Sequence, residues 1–283
     1  LRMGSTPWGL ISGELIIRLI GIVTILRAHT ISFFSNVVRV GKKDFLRDVA
    51  REYRNYPLLI FPSSLLVQLT MHVPVYVIGA VFNVEFLGQY SLAISLLGIP
   101  VQVMGFSMGK VYMQKANETY LSGDMDVLKH QFVQFYYAIL LVASLGYGIL
   151  FAAGPEIFTF IAGSDWVMAG NIAGIMSFAF VFELVSITIA PIFLVMKKER
   201  QQLVARVWGS GIFIIVLIIV STLFMPDMII FVGVLTTLLL IRQLLIVGFA
   251  FHVLNLPWLK HLIFTLAGVS IFFLFYHTLS RLI

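Results

Sequence analysis

The chain has 283 residues, of which 60% are hydrophobic and only 11% are charged, and its mean hydropathy is +1.00. A soluble domain has about 25% charged residues. Because the apolar character extends along the whole chain, the composition excludes a soluble protein with one membrane anchor. Cysteine is absent, which excludes disulfides and thiolate metal sites. The net charge of +6 would suit nucleic acid or anionic lipid, but in a membrane protein the position of the basic residues matters more.

Windows of about 20 apolar residues, long enough to cross a bilayer core, recur along the chain. No strand-like alternation competes with them, and helices satisfy their own backbone hydrogen bonds in lipid. We therefore predict an all-α polytopic membrane protein. About eight transmembrane helices are expected, near residues 8–26, 57–82, 86–113, 132–153, 168–195, 208–225, 228–250 and 261–279. The shorter apolar run 30–38 is expected to lie at the interface.

The basic residues are distributed unevenly between the loops. The connections 27–56, 114–131, 196–207 and 251–260, with the helix ends beside them, contain all but three of the 19 Lys and Arg residues. The exceptions are Arg2, Arg18 and Arg281. The intervening connections contain none, so the positive-inside rule predicts that the basic side is cytoplasmic.

Residues 41–56 contain mixed charges at helical spacing, such as Asp44 with Arg47. This pattern predicts a surface-lying helix that links the first span to the others. The predicted organisation is therefore a span and interfacial elbow in 1–40, a cytoplasmic amphipathic linker in 41–56, a six-helix bundle in 57–250 and an additional hydrophobic segment in 251–283. Since the chain begins with Leu1 and shows no signal peptide, we expect further sequence upstream.

Two predicted spans contain a polar or small residue at every third or fourth position, which places each set on one helix face. In 57–82 the set lies between Pro62 and Pro74 and consists of Ser64, Gln68, His72 and Tyr76. In 86–113 it consists of Gly88, Ser91, Ser95, Gly98, Gln102, Gly105 and Gly109. Such stripes indicate close helix packing, as in the Gly105–Gly109 GxxxG pair, or a wet cavity surface. Gln68, His72 and Gln102 are candidate cavity residues.

Ionisable residues at membrane depth cost about 2.5–3.5 kcal/mol each on insertion scales and are candidates for function. Glu14 and Arg18 lie one turn apart in the first span and could neutralise each other. Glu183 has no cation within one turn in sequence, so Glu183 and Glu14 are candidates for ion coupling. Arg242 lies near the cytoplasmic end of its span, from which its side chain could extend to the interface.

One motif favours an enzyme. Asp124-Met125-Asp126 has the DxD spacing that holds a metal and a sugar diphosphate in many glycosyltransferases. The same residues also fit a helix start after Gly123, and no P-loop, HExxH or GxSxG motif is present. We favour the helix start and predict no catalytic residue, metal or cofactor.

From Tyr53 to Glu118 the chain resembles a known family. The segments "YRNYPLLIFPSSLL" and "FNVEFLGQYSLAISLLGIPVQVMGFSMGKVYMQKANE", followed later by "GSDWVMAG" and "KKERQQL", are similar to bacterial O-antigen and exopolysaccharide flippases. These belong to the multidrug/oligosaccharidyl-lipid/polysaccharide (MOP) exporter superfamily. The resemblance covers about residues 45–205. It implies a MATE-like transporter with two six-helix lobes, in which 1–40 ends the first lobe and 57–250 forms the second, C-terminal bundle. The span 261–279 departs from this pattern.

The resemblance also implies a function. The substrate would be an undecaprenyl-diphosphate-linked oligosaccharide, moved by alternating access across the bacterial inner membrane, with membrane lipids and a polysaccharide polymerase machinery as partners and no nucleic acid. Arg18 and protonated His72 would meet the diphosphate in the cavity. The cytoplasmic mouth would be formed by Arg54, Lys110, Lys115, Arg206 and Arg242.

Three alternatives remain open at this point. A multidrug exporter of the same superfamily would need an acidic cavity, for which only Glu14 and Glu183 are identifiable. A membrane-embedded glycosyltransferase or polymerase would usually need a larger outer loop than 154–167. A truncated, non-functional product is the third alternative.

Overall fold

The computed structural model describes residues 56–223 and 227–280, together with 16–17, 19–21, 23–24, 47–49, 51 and 54. Glu14 and Arg18 lie outside the described residues. The chain divides into two compact units, Leu1–Asn55 and Tyr56–Ile283. In the first unit, the described residues 16–17, 19–21, 23–24, 47–49 and 51 are helical. All further description concerns the second unit.

The second unit is all-α over its described residues. A π-helical turn, Tyr56–Ile60, precedes the first helix. The helices are α1 (Phe61–Val81), α2 (Val84–Pro100), α3 (Phe106–Leu121), α4 (Met125–Ala162), α5 (Val167–Ile189), α6 (Ile192–Val195), α7 (Glu199–Leu223), α8 (Met228–Val253) and α9 (Trp258–Ser280). A second π-helical turn, Val101–Gly105, joins α2 to α3.

Six helical segments among the described residues are long and apolar enough to cross a membrane: Pro57–Val81, Val84–Leu121, Met125–Ala162, Ser164–Val195, Glu199–Leu223 and Met228–Val253. They match six of the predicted spans, so the prediction of an all-α polytopic membrane protein is confirmed. The predicted span 8–26 falls largely outside the described residues. The predicted span 261–279 lies in α9, in which the described residues Trp258–Ile271 form an apolar stretch.

The main departure from the predicted boundaries occurs in α4. Residues 154–162 were expected in a loop, but the helix continues to Ala162 after a kink at Ala153 (φ −130°, ψ 26°). Pro155 explains the kink, because its ring lacks an N–H and clashes with the carbonyl of the preceding turn. The chain is helical on both sides of this single kinked residue.

Side-chain caps fix three of the helix starts. Asn83 accepts from the backbone N–H of Phe86 at 2.8 Å, and Asp124 accepts from that of Val127 at 3.1 Å. Asp227 accepts from the N–H of Ile229. Such caps satisfy backbone donors that have no partner in the first turn. The helix-start interpretation of Asp124 is thereby confirmed, and Asp126 pairs with Lys129 at 3.3 Å.

Helix α5 lies at the centre of the unit, and most of its residues are buried. It packs most extensively against α4, then against α8 and α2. The crossing with α4 brings two backbones together, since a Cβ built on Gly170 would lie 2.5 Å from the Cα of Pro155 and 2.6 Å from the carbonyl oxygen of Gly154. Glycine is therefore required at this crossing for steric reasons.

Helix α9 packs against α4, which in turn packs against the central helix α5. The hydroxyls of Tyr136 and Thr265 are 2.9 Å apart, and Tyr137 Oη lies 2.8 Å from Nδ1 of His261. About two turns beyond Thr265 along α9, the ring of Phe273 contacts those of Phe151 and Phe178. Helix α9, which forms most of the additional hydrophobic segment predicted in 251–283, is thus packed against the bundle.

The α4–α5 crossing leads to a stability prediction. Gly170→Ala should lower the unfolding temperature in detergent by an amount equivalent to about 1–3 kcal/mol, because the added methyl forces the backbones apart. Gly174→Ala on the same helix is the matched control, since its Cβ would lie 3.6 Å from its nearest neighbours. Equal unfolding temperatures for the two variants would contradict the close crossing.

The predicted orientation can be tested with single cysteines, because the chain contains none of its own. Ser122 and Ser164 are exposed and lie in connections at opposite ends of α4. We expect Ser122→Cys to be modified only from the cytoplasm and Ser164→Cys only from outside, as measured with a membrane-impermeant maleimide. Modification of Ser122→Cys from outside would reverse the orientation.

Candidate functional site

A buried ion pair joins α5 to α8. Nη2 of Arg242 donates to Oε2 of Glu183 at 2.6 Å. Arg242 is 2% exposed and Glu183 is 9% exposed, so both charges lie in an apolar environment. The sequence left Glu183 without a cation because the partner is 59 residues away. The expectation that Arg242 extends to the interface is wrong, because its guanidinium points inward to this carboxylate.

Two neutral side chains complete the pair. The amide nitrogen of Gln243 also donates to Oε2 of Glu183. The Ser186 hydroxyl donates to Oε1 of Gln243 at 2.6 Å. Since an unpaired charge in a buried position is very costly, these extra hydrogen bonds stabilise the carboxylate where water is scarce. We name Glu183, Arg242, Gln243 and Ser186 the charge cluster.

Arg206 on α7 adds a second cation beside the charge cluster. It interacts electrostatically with both Arg242 and Glu183, and its Nε, like that of Arg242, is buried without a hydrogen-bond partner. Gly209, one turn further along α7, makes room for Arg242, because a Cβ there would lie 3.0 Å from Cγ of the arginine. Three helices therefore enclose two guanidinium groups and one carboxylate.

A small cavity adjoins Glu183. Its volume is about 10 Å³, and it is lined by residues from α1, α2, α5 and α8, among them Thr70, Pro74, Tyr90 and Leu239. This volume is close to the minimum for one water molecule. Glu183 thus contacts Arg242 and also lines a space that a single water could fill.

The polar stripe on α1 faces outward from the described unit. Ser64, Gln68, His72 and Tyr76 are all exposed, Tyr76 by 73%. The opposite face of the helix is buried and contains Ser63, Thr70, Pro74 and Ile78. The four stripe residues therefore lie away from the packed face, to which Pro74 belongs.

The stripe on α2 and α3 divides by depth. Gly105 and Gly109 pack against α5, where a Cβ on Gly105 would lie 2.6 Å from Ile187. Ser91, Ser95 and Gln102 are exposed instead. Gln102 lies in the π-helical turn that follows Pro100, and such turns are frequent at functional sites. The close-packing interpretation therefore holds for Gly105 and Gly109, while a cavity surface stays a prediction for the exposed residues.

The predicted mouth residues do not form one cluster. Arg54, Lys110 and Lys115 are exposed, whereas Arg206 is half-buried and Arg242 is buried. Arg54 belongs to the first unit, so it is not placed relative to the others. Only Arg206 and Arg242 are brought together.

Gln89, which the sequence did not single out, fixes the N-terminal end of α5. Its amide nitrogen donates to the carbonyl of Asp165 at 2.7 Å, and its Oε1 accepts from the N–H of Ala169 at 2.9 Å. A glutamine within an apolar span was the signal available in the sequence. Its partners could not be predicted, because they are backbone groups on a distant segment. Gln243 was also missed, because its partners, the side chains of Glu183 and Ser186, lie far away in the chain.

Comparison of the chain with protein-family models, curated proteins and solved structures finds no match. Among the described residues, no group of three or more His, Cys, Asp or Glu side chains could hold a metal ion. Any functional interpretation must therefore be argued from the charge cluster, the outward polar stripes and the resemblance of the sequence segments.

The charge cluster leads to a stability prediction. Glu183→Gln and Arg242→Gln should each destabilise the protein by about 3–5 kcal/mol, because each leaves the opposite charge buried and unpaired. The double variant should be less destabilised than either single variant, as measured by denaturant unfolding in detergent. Asp126→Asn, which breaks the exposed pair with Lys129, is the control and should change little. Wild-type stability in Glu183→Gln would show that the carboxylate does not hold the bundle together.

Proposed function

We propose that this chain forms the C-terminal bundle of a bacterial inner-membrane transporter that moves an undecaprenyl-diphosphate-linked oligosaccharide. The lipid-linked sugar would pass from the cytoplasmic to the periplasmic leaflet by alternating access. The resemblance of residues 45–205 to polysaccharide flippases suggests this substrate class. The structural support comes from the distribution of polar side chains over the bundle.

The observation that carries the proposal is the outward exposure of Gln68, His72 and Gln102 on otherwise apolar helices. Polar side chains within a membrane span usually face a bundle interior or a water-filled cavity. A face of this kind on the outside of a six-helix unit would be unfavourable against lipid. It is well suited to line a hydrated path through which a sugar headgroup passes while the lipid tail stays in the bilayer.

The proposed direction of transport agrees with the charge of the substrate. With the cytoplasm negative, each negative charge moved fully outward gains about 2.3 kcal/mol per 100 mV. The basic residues at the predicted cytoplasmic end would attract the diphosphate before translocation. His72, when protonated, would meet the phosphates deeper in the path.

Two alternatives are less well supported. A cation exporter needs an available carboxylate in its path, whereas the described mid-bundle acid Glu183 is bonded to Arg242 and Gln243. For a DxD glycosyltransferase, Asp124 and Asp126 would need to be available for metal, whereas one caps α4 and the other pairs with Lys129. The charge cluster could still couple transport to an ion, provided that Glu183 releases Arg242 in another state.

The proposal predicts that removing the polarity of the stripe impairs transport without harming the fold. Gln68→Leu combined with His72→Leu in the full-length protein should reduce glycan-lipid translocation in vesicles by about tenfold or more. Membrane abundance and unfolding temperature should remain unchanged, because both positions are exposed and helix-compatible. Translocation of a fluorescent lipid-linked oligosaccharide gives the measurement.

The control is Thr237→Val, an exposed polar position on α8 that lies outside both stripes. It should retain full translocation. If the Leu variants transport normally, the stripe faces lipid and the proposed path is wrong.

A further inference from the structure

A groove between α3 and α4 lies apart from the charge cluster and from the exposed polar residues of α1 and α2. Its volume is about 270 Å³. Its polar lining consists of Tyr112, Lys115, Gln131 and Gln134, and its apolar lining of Val111, Phe135 and Ala138. It lies toward the basic end of the bundle, where α3 ends and α4 begins.

The lining changes from polar to apolar with depth. Near the helix ends, Thr119 donates to Oε1 of Gln131 at 3.0 Å, which sets the register of the two antiparallel helices. One turn further in, Lys115 lies about 9 Å from the end of α3 at Leu121, at a rise of 1.5 Å per residue. Deeper still, the rings of Tyr112 and Phe135 stack with centroids 4.7 Å apart. The groove therefore has a polar outer half and an apolar inner half.

The hydroxyl of Tyr112 has no hydrogen-bond partner, although the residue is only 4% exposed. A buried hydroxyl without a partner destabilises the fold, and such groups are rare in folded proteins. Because Tyr112 lines the groove, a ligand with an acceptor oxygen there would remove this cost.

Lys115 supplies a charge that no described acid neutralises. Its ammonium makes no ion pair among the described residues, whereas the nearby Glu118 accepts from Gln114 at 3.3 Å and Asp126 pairs with Lys129. The two glutamine amides and Lys115 in the outer half, with the Tyr112 phenol further in, give the groove several donors and one cation. This combination favours a ligand with clustered anionic oxygens.

We propose that this groove binds an anionic phospholipid of the leaflet at the basic end of the bundle. The phosphate would accept from Lys115, from the Gln134 amide and from Tyr112, while an acyl chain would run along Val111 and Ala138. Basic pockets between transmembrane helices on the cytoplasmic side suit anionic headgroups. The apolar inner half favours a lipid over a soluble phosphate, since only a lipid covers both halves. This inference does not depend on the proposed transport function.

The test uses the full-length protein, purified in detergent and depleted of lipid. Phosphatidylglycerol should raise its unfolding temperature more than phosphatidylcholine, and native mass spectrometry should show bound phosphatidylglycerol. Lys115→Gln should weaken that binding about fivefold, because one lysine contributes about 1 kcal/mol near an anionic headgroup. Tyr112→Phe should also weaken binding while leaving the lipid-free unfolding temperature equal or higher, because the lost hydroxyl had no partner.

Lys110→Gln is the matched control, since Lys110 is an exposed lysine of the same helix that does not line the groove. It should bind phosphatidylglycerol like the wild type. Equal losses in Lys110→Gln and Lys115→Gln would show a nonspecific charge effect and overturn the site. Equal stabilisation by inorganic phosphate or pyrophosphate, abolished by Lys115→Gln, would assign the groove to a soluble anion and overturn the lipid.

Discussion

The bond between Glu183 and Arg242 sets the constraint on which the centre of this bundle depends. Two charges removed from water must be paired and hydrogen-bonded, and that requirement fixes the relative rotation and height of α5 and α8. Gln243 and Ser186 add the remaining hydrogen bonds, while Gly209 on α7 leaves space for the arginine stem. A change in the rotation of any of these helices would separate the charges, so the polar centre selects one packing among many that apolar surfaces alone would allow.

Small residues allow the neighbouring helices to pack closely against the central helix α5. Where α4 crosses α5, Gly154 and Gly170 bring the backbones into contact, and dispersion forces gain most from such close approach in lipid. At the other end of the bundle, Gly105 and Gly109 receive Ile187 and its neighbours. Helix α5 is therefore held by glycine contacts along its length and by an ion pair in its interior. Because α5 is buried, the other helices pack around it, and the polar faces of α1 and α2 lie on the outside.

The polar residues of the unit fall into two classes, those in the interior and those on the outward faces. Several polar groups in the interior have partners that belong to the fold, as Gln89 shows with two backbone groups at the start of α5. Gln68, His72 and Gln102 lie on the surface of the unit, which is the position that the proposed transport path requires. Arg206, beside the charge cluster with an unpartnered Nε, lies between these classes. The ion pair thus has a structural role in this state, and a transport role would require a second state that opens it.

The sequence by itself determined that this is an all-α membrane protein, where six of its spans lie, and that the basic residues are concentrated in alternate connections. These properties follow from local composition, because about 20 apolar residues must cross the bilayer wherever they pack. Stripe positions such as Gln68 and Gln102 were also readable, since helical periodicity places residues on a common face without reference to any neighbour. The direction of that face was not readable, because it depends on which helix packs behind it. Only the tertiary structure paired Glu183 with Arg242, gave Gln89 and Gln243 their partners and left Tyr112 without one, because those contacts join residues far apart in the chain.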